Sequence, residues 1–499
     1  MSTTRQLLRR EITYSSAKEK QINILHQLSY YDKQNSFFSH LNNHQSWIKS
    51  IVAHHLNLNS PDACHVHDVQ NWLHGSFNVC IPVTICAFKQ VILRLPLPYR
   101  VGEELMPGNG DEKVRNCPDV PVPELYGFGL STGETFTCLE NLPLLSKWLH
   151  SIRRRVFAWL GYPIPSRYVP HPAKRDHGVR LNYLLIEYID PSRGSMLSNT
   201  WADHRHDVKL RTNLFHGLAR ILLSISRTPV PRIGSFIIDL KGFLMLTNRP
   251  LSVEIQQLEN ELIPTGMHRD YTYSTVESYL ADILTFHDNR VQYQPNAIND
   301  LGDGVFQLSS LSAMRTVSKS FFQRELQRGP FILSLTDLHQ SNIFVDADWN
   351  ITYLVDLEWA CSLPLEMIRP PHWLPNMGVD QLVPSDYDKL RIEFMNALIA
   401  EEQGMTQTHN SPRSSDIMNR TWETGTFWYT LALSSPSGLF TIFKEHIRPL
   451  FCTNYIEEFN LILPFLWSRN VARIAHQKLS DKKEYDSQLR EEFGLEDQT

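Results

Sequence analysis

The stretch that most constrains this chain runs from Phe331 to Cys361, FILSLTDLHQSNIFVDADWNITYLVDLEWAC. Asp337 is followed five residues later by Asn342 and then by a short β-branched run, Ile343–Val345. A turn-forming segment, Asp346–Asn350, leads to a second run, Ile351–Val355, which ends at Asp356. Two such runs about a tight polar turn predict a β-hairpin. The hairpin starts just after Asn342 and ends just before Asp356, so both side chains return to the same end. Two carboxylates and an amide oxygen then converge. Such a hard-oxygen set suits Mg²⁺. It leaves Asp337 free to orient a substrate hydroxyl or take its proton. Singly these are ordinary turn residues; the combination is what is specific.

The rest of the chain supplies the frame. At 499 residues the prior is about three domains, or two large lobes with insertions. Residues 1–60 are polar with helical spacing and read as an N-terminal extension. Asn78–Ile85 and Val91–Leu95 predict a hairpin, and Leu125–Phe128 with Thr135–Leu139 a second strand pair. Tyr183–Ile189 predicts a buried strand that stops at Asp190-Pro191. Beyond it the pattern is helical, as in His206–Ser226 with Leu210, Leu214, Leu218, Ile221 and Ile225 near a 3.6 period. The expectation is therefore an α+β protein of two lobes. The small antiparallel-sheet lobe spans 61–190, with an insertion at about 141–178. The helical lobe spans 191–478 and holds the 331–361 segment, and a charged tail, 479–499, frays.

Composition excludes several classes. Net charge is -5, so no basic footprint calls for nucleic acid. Seven cysteines, an odd number without a CxxC pair, exclude a disulfide scaffold or zinc ribbon. No apolar run approaches the roughly 20 residues of a membrane span. MSTTRQLLRR lacks the apolar core of a secretory signal, so a cytoplasmic location is expected, with a mitochondrial presequence as the alternative. His54, His55, Cys64, His65, His67 and Asp68 match no zinc spacing and read as a polar loop. The stretch KWLHSIRRRVFAWL is expected to pack through its apolar face and leave Arg153–Arg155 in water; a nucleic-acid or lipid-headgroup patch is the alternative.

The catalytic segment resembles that of the aminoglycoside phosphotransferase (choline kinase-like) branch of the protein-kinase-like fold. There an H-G-D-x-x-x-x-N loop, a strand and a further Asp carry phosphoryl transfer. LTDLHQSN, IFVD and YLVDLEW fill that pattern here, with Leu335 where many members have His. The likeness spans about residues 60–475 and is greatest to fungal phosphotransferase-domain proteins of unassigned substrate. It implies ATP and Mg²⁺ as cofactors and a small-molecule hydroxyl as acceptor; no activation segment for a protein substrate follows Asp356. By the resemblance Asp337 is the base, and Asn342 and Asp356 are metal ligands. Gly75, Ser76, Phe77 and Asn78 form the phosphate loop, Arg94 is the phosphate-binding cation, and Glu187 and Ile189 mark the adenine hinge. His339 and Glu358 are supporting candidates. Neither the acceptor's identity nor the oligomeric state has a sequence signature here.

One departure stands out. Kinase-like small lobes carry a helix whose Glu holds the cation. Here DEKVRNCPDVPVPELYGFG runs from before Arg115 almost directly into a strand, with Glu103, Glu104 and Glu112 as the substitutes at hand. Without that helix one face of the small sheet is expected to lack cover. A pseudokinase or scaffold with an impaired nucleotide site is therefore the alternative to an enzyme.

Overall fold

The β-branched runs of the first lobe pair as the sequence predicts. The computed structural model describes residues 4–86, 89–102, 105, 122–172, 178–405, 412–452 and 458–495. The N-terminal stretch is helical, its two longest helices being α1 (Tyr30–Asn43) and α2 (Gln45–His55). Eight strands follow: β1 (Cys64–Val66), β2 (Leu73–His74), β3 (Asn78–Ile85), β4 (Lys89–Pro96), β5 (Leu125–Gly129), β6 (Thr135–Cys138), β7 (Tyr168–Pro170) and β8 (Tyr183–Glu187). Their order across one antiparallel sheet is β1-β3-β4-β8-β5-β6-β7, with β2 also on β3. Arg94 sits on β4, opposite Cys80 on one side and Leu184 on the other. The cation is thus anchored mid-sheet.

The N-terminal helices cover one face of this sheet, the one opposite the Arg94 side chain. Trp47, Ile48, Ile51 and Val52 of α2 pack with Leu41 of α1 onto Val79, Ile81, Leu93 and Leu95. The segment with Glu103, Glu104, Glu112 and Arg115, on which the expectation of an uncovered face rests, lies outside the described residues. A buried polar contact fixes how α2 lies. His55 Nδ1 is 2.8 Å from Thr137 Oγ1 and its Nε2 is 2.9 Å from Tyr183 Oη. Burial, with His54 and His171 nearby, holds this imidazole well below its usual pKa, so it is neutral. The ring fits because β5 has no side chain beneath it. A Cβ at Gly127 would come within 2.2 Å of His55, and one at Gly129 within 2.3 Å of Tyr183. The LYGFG sequence of β5 is therefore a packing requirement. The polar-loop reading of residues 54–68 fails in part: His54 and His55 end α2, with His55 fully buried, and Cys64 and His65 lie on β1. Among the described residues no group of three or more His, Cys, Asp or Glu is placed to hold a metal.

The second lobe is built on capped helices. Asp207 accepts from Lys209 N and Leu210 N to start α4 (Val208–Ser226). A hairpin, β9 (Ser235–Ile238) and β10 (Leu244–Asn248), precedes α5 (Val276–Tyr293) and α6 (Leu301–Val317), which are capped by Thr275 and Asp300. The strands of the 331–361 segment and its edge follow: β11 (Phe331–Leu335), β12 (Ile343–Val345), β13 (Ile351–Leu354) and β14 (Ala360–Pro364). α7 (Pro384–Gln403) and α8 (Thr426–Leu433) pack into the cores around them, and α9 (Val471–Glu492) lies against α6 and the N-terminal stretch. One core centres on α5, α6 and α8, another on α4, β12 and α7.

Two sequence expectations fail here. Residues 479–492 are not a frayed tail but the body of α9. Tyr485, Leu489 and Phe493 recur every four residues and bury against Leu7, Ile12 and Ile24, while Tyr485 Oη accepts from Ile24 N at 2.9 Å. A narrow apolar stripe on a charged helix is enough to dock it. The second failure is the insertion helix, α3 (Leu144–Trp159), which buries no residue. Its apolar side faces solvent and its polar side faces the protein, the reverse of the packing expected. Among the described residues no helix is long and apolar enough to cross a membrane.

The glycine argument is testable against strand propensity, which favours alanine over glycine. Gly127→Ala should cost about 1–3 kcal/mol in urea unfolding through overpacking. In a His55→Ala background the same change should cost much less. Equal costs in both backgrounds would contradict the contact.

Candidate active site

Strand pairing assembles the site. β11 pairs antiparallel with β14, Leu335 opposite Ala360, so Thr336 and Asp337 leave the pair beside Trp359. Thr336 Oγ1 donates to the Trp359 carbonyl at 2.5 Å and locks that exit. The β12–β13 hairpin sets Ile343 opposite Leu354, and Val355 N donates to Asn342 O at 2.9 Å. The turn is held by Asp346 Oδ1, which accepts from Asp348 N and Asn350 N at 3.0 and 2.9 Å. Asn342 and Asp356 therefore stand at one end of the hairpin, next to Asp337.

Asn342 Nδ2 donates to the Asp337 carbonyl at 2.8 Å and to its Oδ2 at 3.2 Å. With the nitrogen so committed, the amide oxygen is what Asn342 can offer a cation. Asp356 lies in the left-handed region, φ +60°, which Asp tolerates better than most residues. That conformation turns the chain into the short 3₁₀ segment Leu357–Trp359 and brings two carboxylates under the small lobe. Arg94 Nη2 is 2.5 Å from Asp356 Oδ1 and 2.6 Å from Glu358 Oε1. Asn78 Nδ2 also donates to Glu358 Oε1, at 3.1 Å. The side chains of Arg94 and Glu358 are 8% and 5% exposed, whereas Asp356 is 37% exposed and keeps an open side. Burial alone would lower the Arg94 pKa, but the two carboxylates more than offset it and the net shift is upward. Glu358, read from the sequence only as a supporting residue, is the buried partner of the cation.

Not every expected residue gathers here. Phe77 packs edge-on against Trp359 at 5.5 Å, and Asn78 and Arg94 reach the segment directly. Gly75 and Ser76 instead line a separate cavity of about 330 Å³ with Arg9, Arg10 and Arg100. Glu187 is tied locally, its Oε2 accepting from Glu124 N at 3.3 Å and its other oxygen pairing with Arg193. Ile189 is half-buried just past β8. His339 Nδ1 accepts from Ser341 N at 3.2 Å, so the neutral ring carries its proton on Nε2, which is 3.7 Å from Asp337 Oδ1. Burial lowers its pKa.

Asp337 opens on a cavity of about 350 Å³. Its walls include His339, Glu254, Tyr279, Arg369 and His372, with Phe286 and Ile283 on the apolar side. Arg369 donates to Ser434 Oγ at 2.8 Å. Burial first, then the charges of Asp356, Glu254 and Glu358, push the Asp337 carboxyl up to about 7, against the opposing Asn342 hydrogen bond. A crowd of carboxylates that raises a neighbour's pKa is also one that attracts a cation. With Asp356, Asp337 and the Asn342 oxygen all hard donors, the set fits Mg²⁺. Glu254, Arg369 and His372 belong to no motif. They come from two segments far apart in the chain, Glu254 from one and Arg369 with His372 from the other, and only folding brings them to one cavity.

No family model and no curated protein matches the chain. Among solved structures it is similar to aminoglycoside phosphotransferase APH(4)-Ia, with 9% identity and a TM-score of 0.38 over 86% of this chain and 99% of that one. A thermostable mutant of that enzyme, in ternary complex with AMP-PNP and hygromycin B, gives 10% identity and a TM-score of 0.34, covering 85% and 94%. Ethanolamine kinase from Plasmodium vivax gives 11% and 0.34, covering 85% and 86%. These neighbours are phosphotransferases of the kind named by the sequence resemblance. Likeness at this level assigns no activity.

The buried ion pair carries a stability prediction. Arg94→Met leaves Glu358 buried without its cation and should cost about 3–5 kcal/mol. Adding Glu358→Gln should recover a large part of the loss, a coupling that a double-mutant cycle measures. Strictly additive costs would contradict the pairing.

Proposed function

We propose that this protein is a phosphotransferase that uses Mg²⁺ and ATP to phosphorylate a hydroxyl of a small molecule. The observation that carries the reading is Asp337, hydrogen-bonded to Asn342, on the wall of the 350 Å³ cavity with Asp356 beside it. Bound Mg·ATP would supply the phosphoryl group and neutralise its charge. Asn342 Oδ1 and the Asp356 carboxylate are the residues that would hold the cation. Asp337 orients the acceptor hydroxyl in the cavity and takes its proton as the oxygen attacks. Enclosure by Tyr279, Phe286 and Ile283 keeps water from competing as acceptor. The cavity is of small-ligand size and mixes apolar walls with few polar groups, which supports a small molecule over a protein acceptor.

In this reading Arg94 meets the phosphates, and Glu358 does for it what a small-lobe helix glutamate does in other kinases. Phe77 and Asn78 close the near side, and the backbone at Glu187 and Ile189 meets the adenine. One observation favours the scaffold alternative: Arg94 rests on Asp356, a group the cation would need.

Activity separates the two readings. ADP release should appear when Mg·ATP is supplied with a panel of hydroxyl-bearing metabolites. Asp337→Asn should lower it by about 10²–10⁴-fold. Calorimetric affinity for Mg·AMP-PNP should stay within a few-fold of wild type. Wild-type protein that binds no nucleotide would leave the scaffold reading standing.

A further inference from the structure

The insertion helix α3 is inside out. Side chains of a helix on a protein surface normally bury their apolar stripe and solvate the polar one. Here Leu144 is 85% exposed, Trp148 64% and Trp159 83%, and Leu145, Leu149 and Val156 on the same side are exposed as well. The polar side is the one in contact. Lys147 Nζ donates to the Glu140 carbonyl at 3.2 Å, Arg154 donates to the Pro165 carbonyl, and Arg153 stacks over Phe157 and Phe243. Phe157 and Phe243 stack in turn, which fixes the helix against the β9–β10 hairpin. The orientation is therefore held by specific contacts, and it turns an apolar strip about 24 Å long outward.

Charge says what the strip meets. The chain as a whole carries -5, yet from Asn141 to Pro172 there are five cations and not one Asp or Glu. Arg167 pairs with Glu140 at 3.1 Å and Lys147, Arg153 and Arg154 make the contacts above, so Arg155 is the cation turned outward with the strip. Arg155 is exposed at the edge of the apolar stripe. Exposed Leu and Trp along the strip, with Arg at its margin, are the arrangement of a helix lying in a lipid interface. Two copies of this face brought together would oppose like charges, which argues against a symmetric dimer. We propose that α3 docks the protein flat on a bilayer surface rich in anionic phospholipid, apolar side in the acyl boundary and Arg155 among the headgroups. The helix lies on the membrane and the folded body stays outside.

Flotation of the full-length protein with large unilamellar vesicles tests this. Vesicles of phosphatidylcholine with 30% phosphatidylserine should recruit at least tenfold more protein than pure phosphatidylcholine, and 0.5 M NaCl should remove most of that difference. Trp148→Ser/Leu149→Ser/Trp159→Ser should abolish recruitment while the melting curve is unchanged, since these side chains contact solvent. Arg155→Glu should weaken recruitment only where phosphatidylserine is present. No recruitment to either vesicle, equal recruitment to both, or recruitment that survives the triple substitution would overturn the proposal. So would light scattering that finds a dimer converted to monomer by the same triple substitution.

Discussion

The contact on which the rest of this structure turns is one guanidinium between two carboxylates. Arg94 is in the middle of the small sheet, and Asp356 and Glu358 stand at the end of the catalytic hairpin. Because Arg94 and Glu358 are buried, neither charge tolerates loss of its partner. The pair therefore ties the lobes together at the place where the chemistry would occur. It also explains why Asp356 holds a left-handed backbone: an extended residue there would send Glu358 elsewhere.

A kinase-like small lobe asks two things of its helix, apolar cover for the sheet and a carboxylate for the cation. In this chain the described residues show the carboxylate arriving from elsewhere, while α1 and α2 cover the sheet face opposite the cation. The N-terminal helices α1 and α2 cover the sheet, held by His55 between Thr137 and Tyr183. The carboxylate comes from Glu358, in the other lobe. A cation held from that side is coupled through Asp356 to the hairpin.

What could be read from sequence divides along physical lines. The β12–β13 hairpin was legible because its information is local: β-branched runs, an Asx turn at Asp346 and a register of fixed length. The β3–β4 hairpin was legible for the same reason. The Arg94–Glu358 pair was not, because no local pattern joins residues so far apart in the chain. The cavity residues Glu254, Arg369 and His372 were hidden for the same cause. Periodicity identified α3 as amphipathic but could not say which side meets the protein, and packing chose the polar one. In α9 the stripe Tyr485, Leu489 and Phe493 was outvoted by the charged residues around it, although spacing, not composition, decides docking.

The account stands most directly on a thermal-shift titration with ATP, with and without Mg²⁺, on wild-type protein and Asp356→Asn. Ligand at 100 times its dissociation constant stabilises a protein by about 2.7 kcal/mol. A chain this long should then melt a few degrees higher. The account predicts a shift that needs Mg²⁺ and is lost in Asp356→Asn. A shift of equal size without Mg²⁺, or one that Asp356→Asn retains, would contradict it.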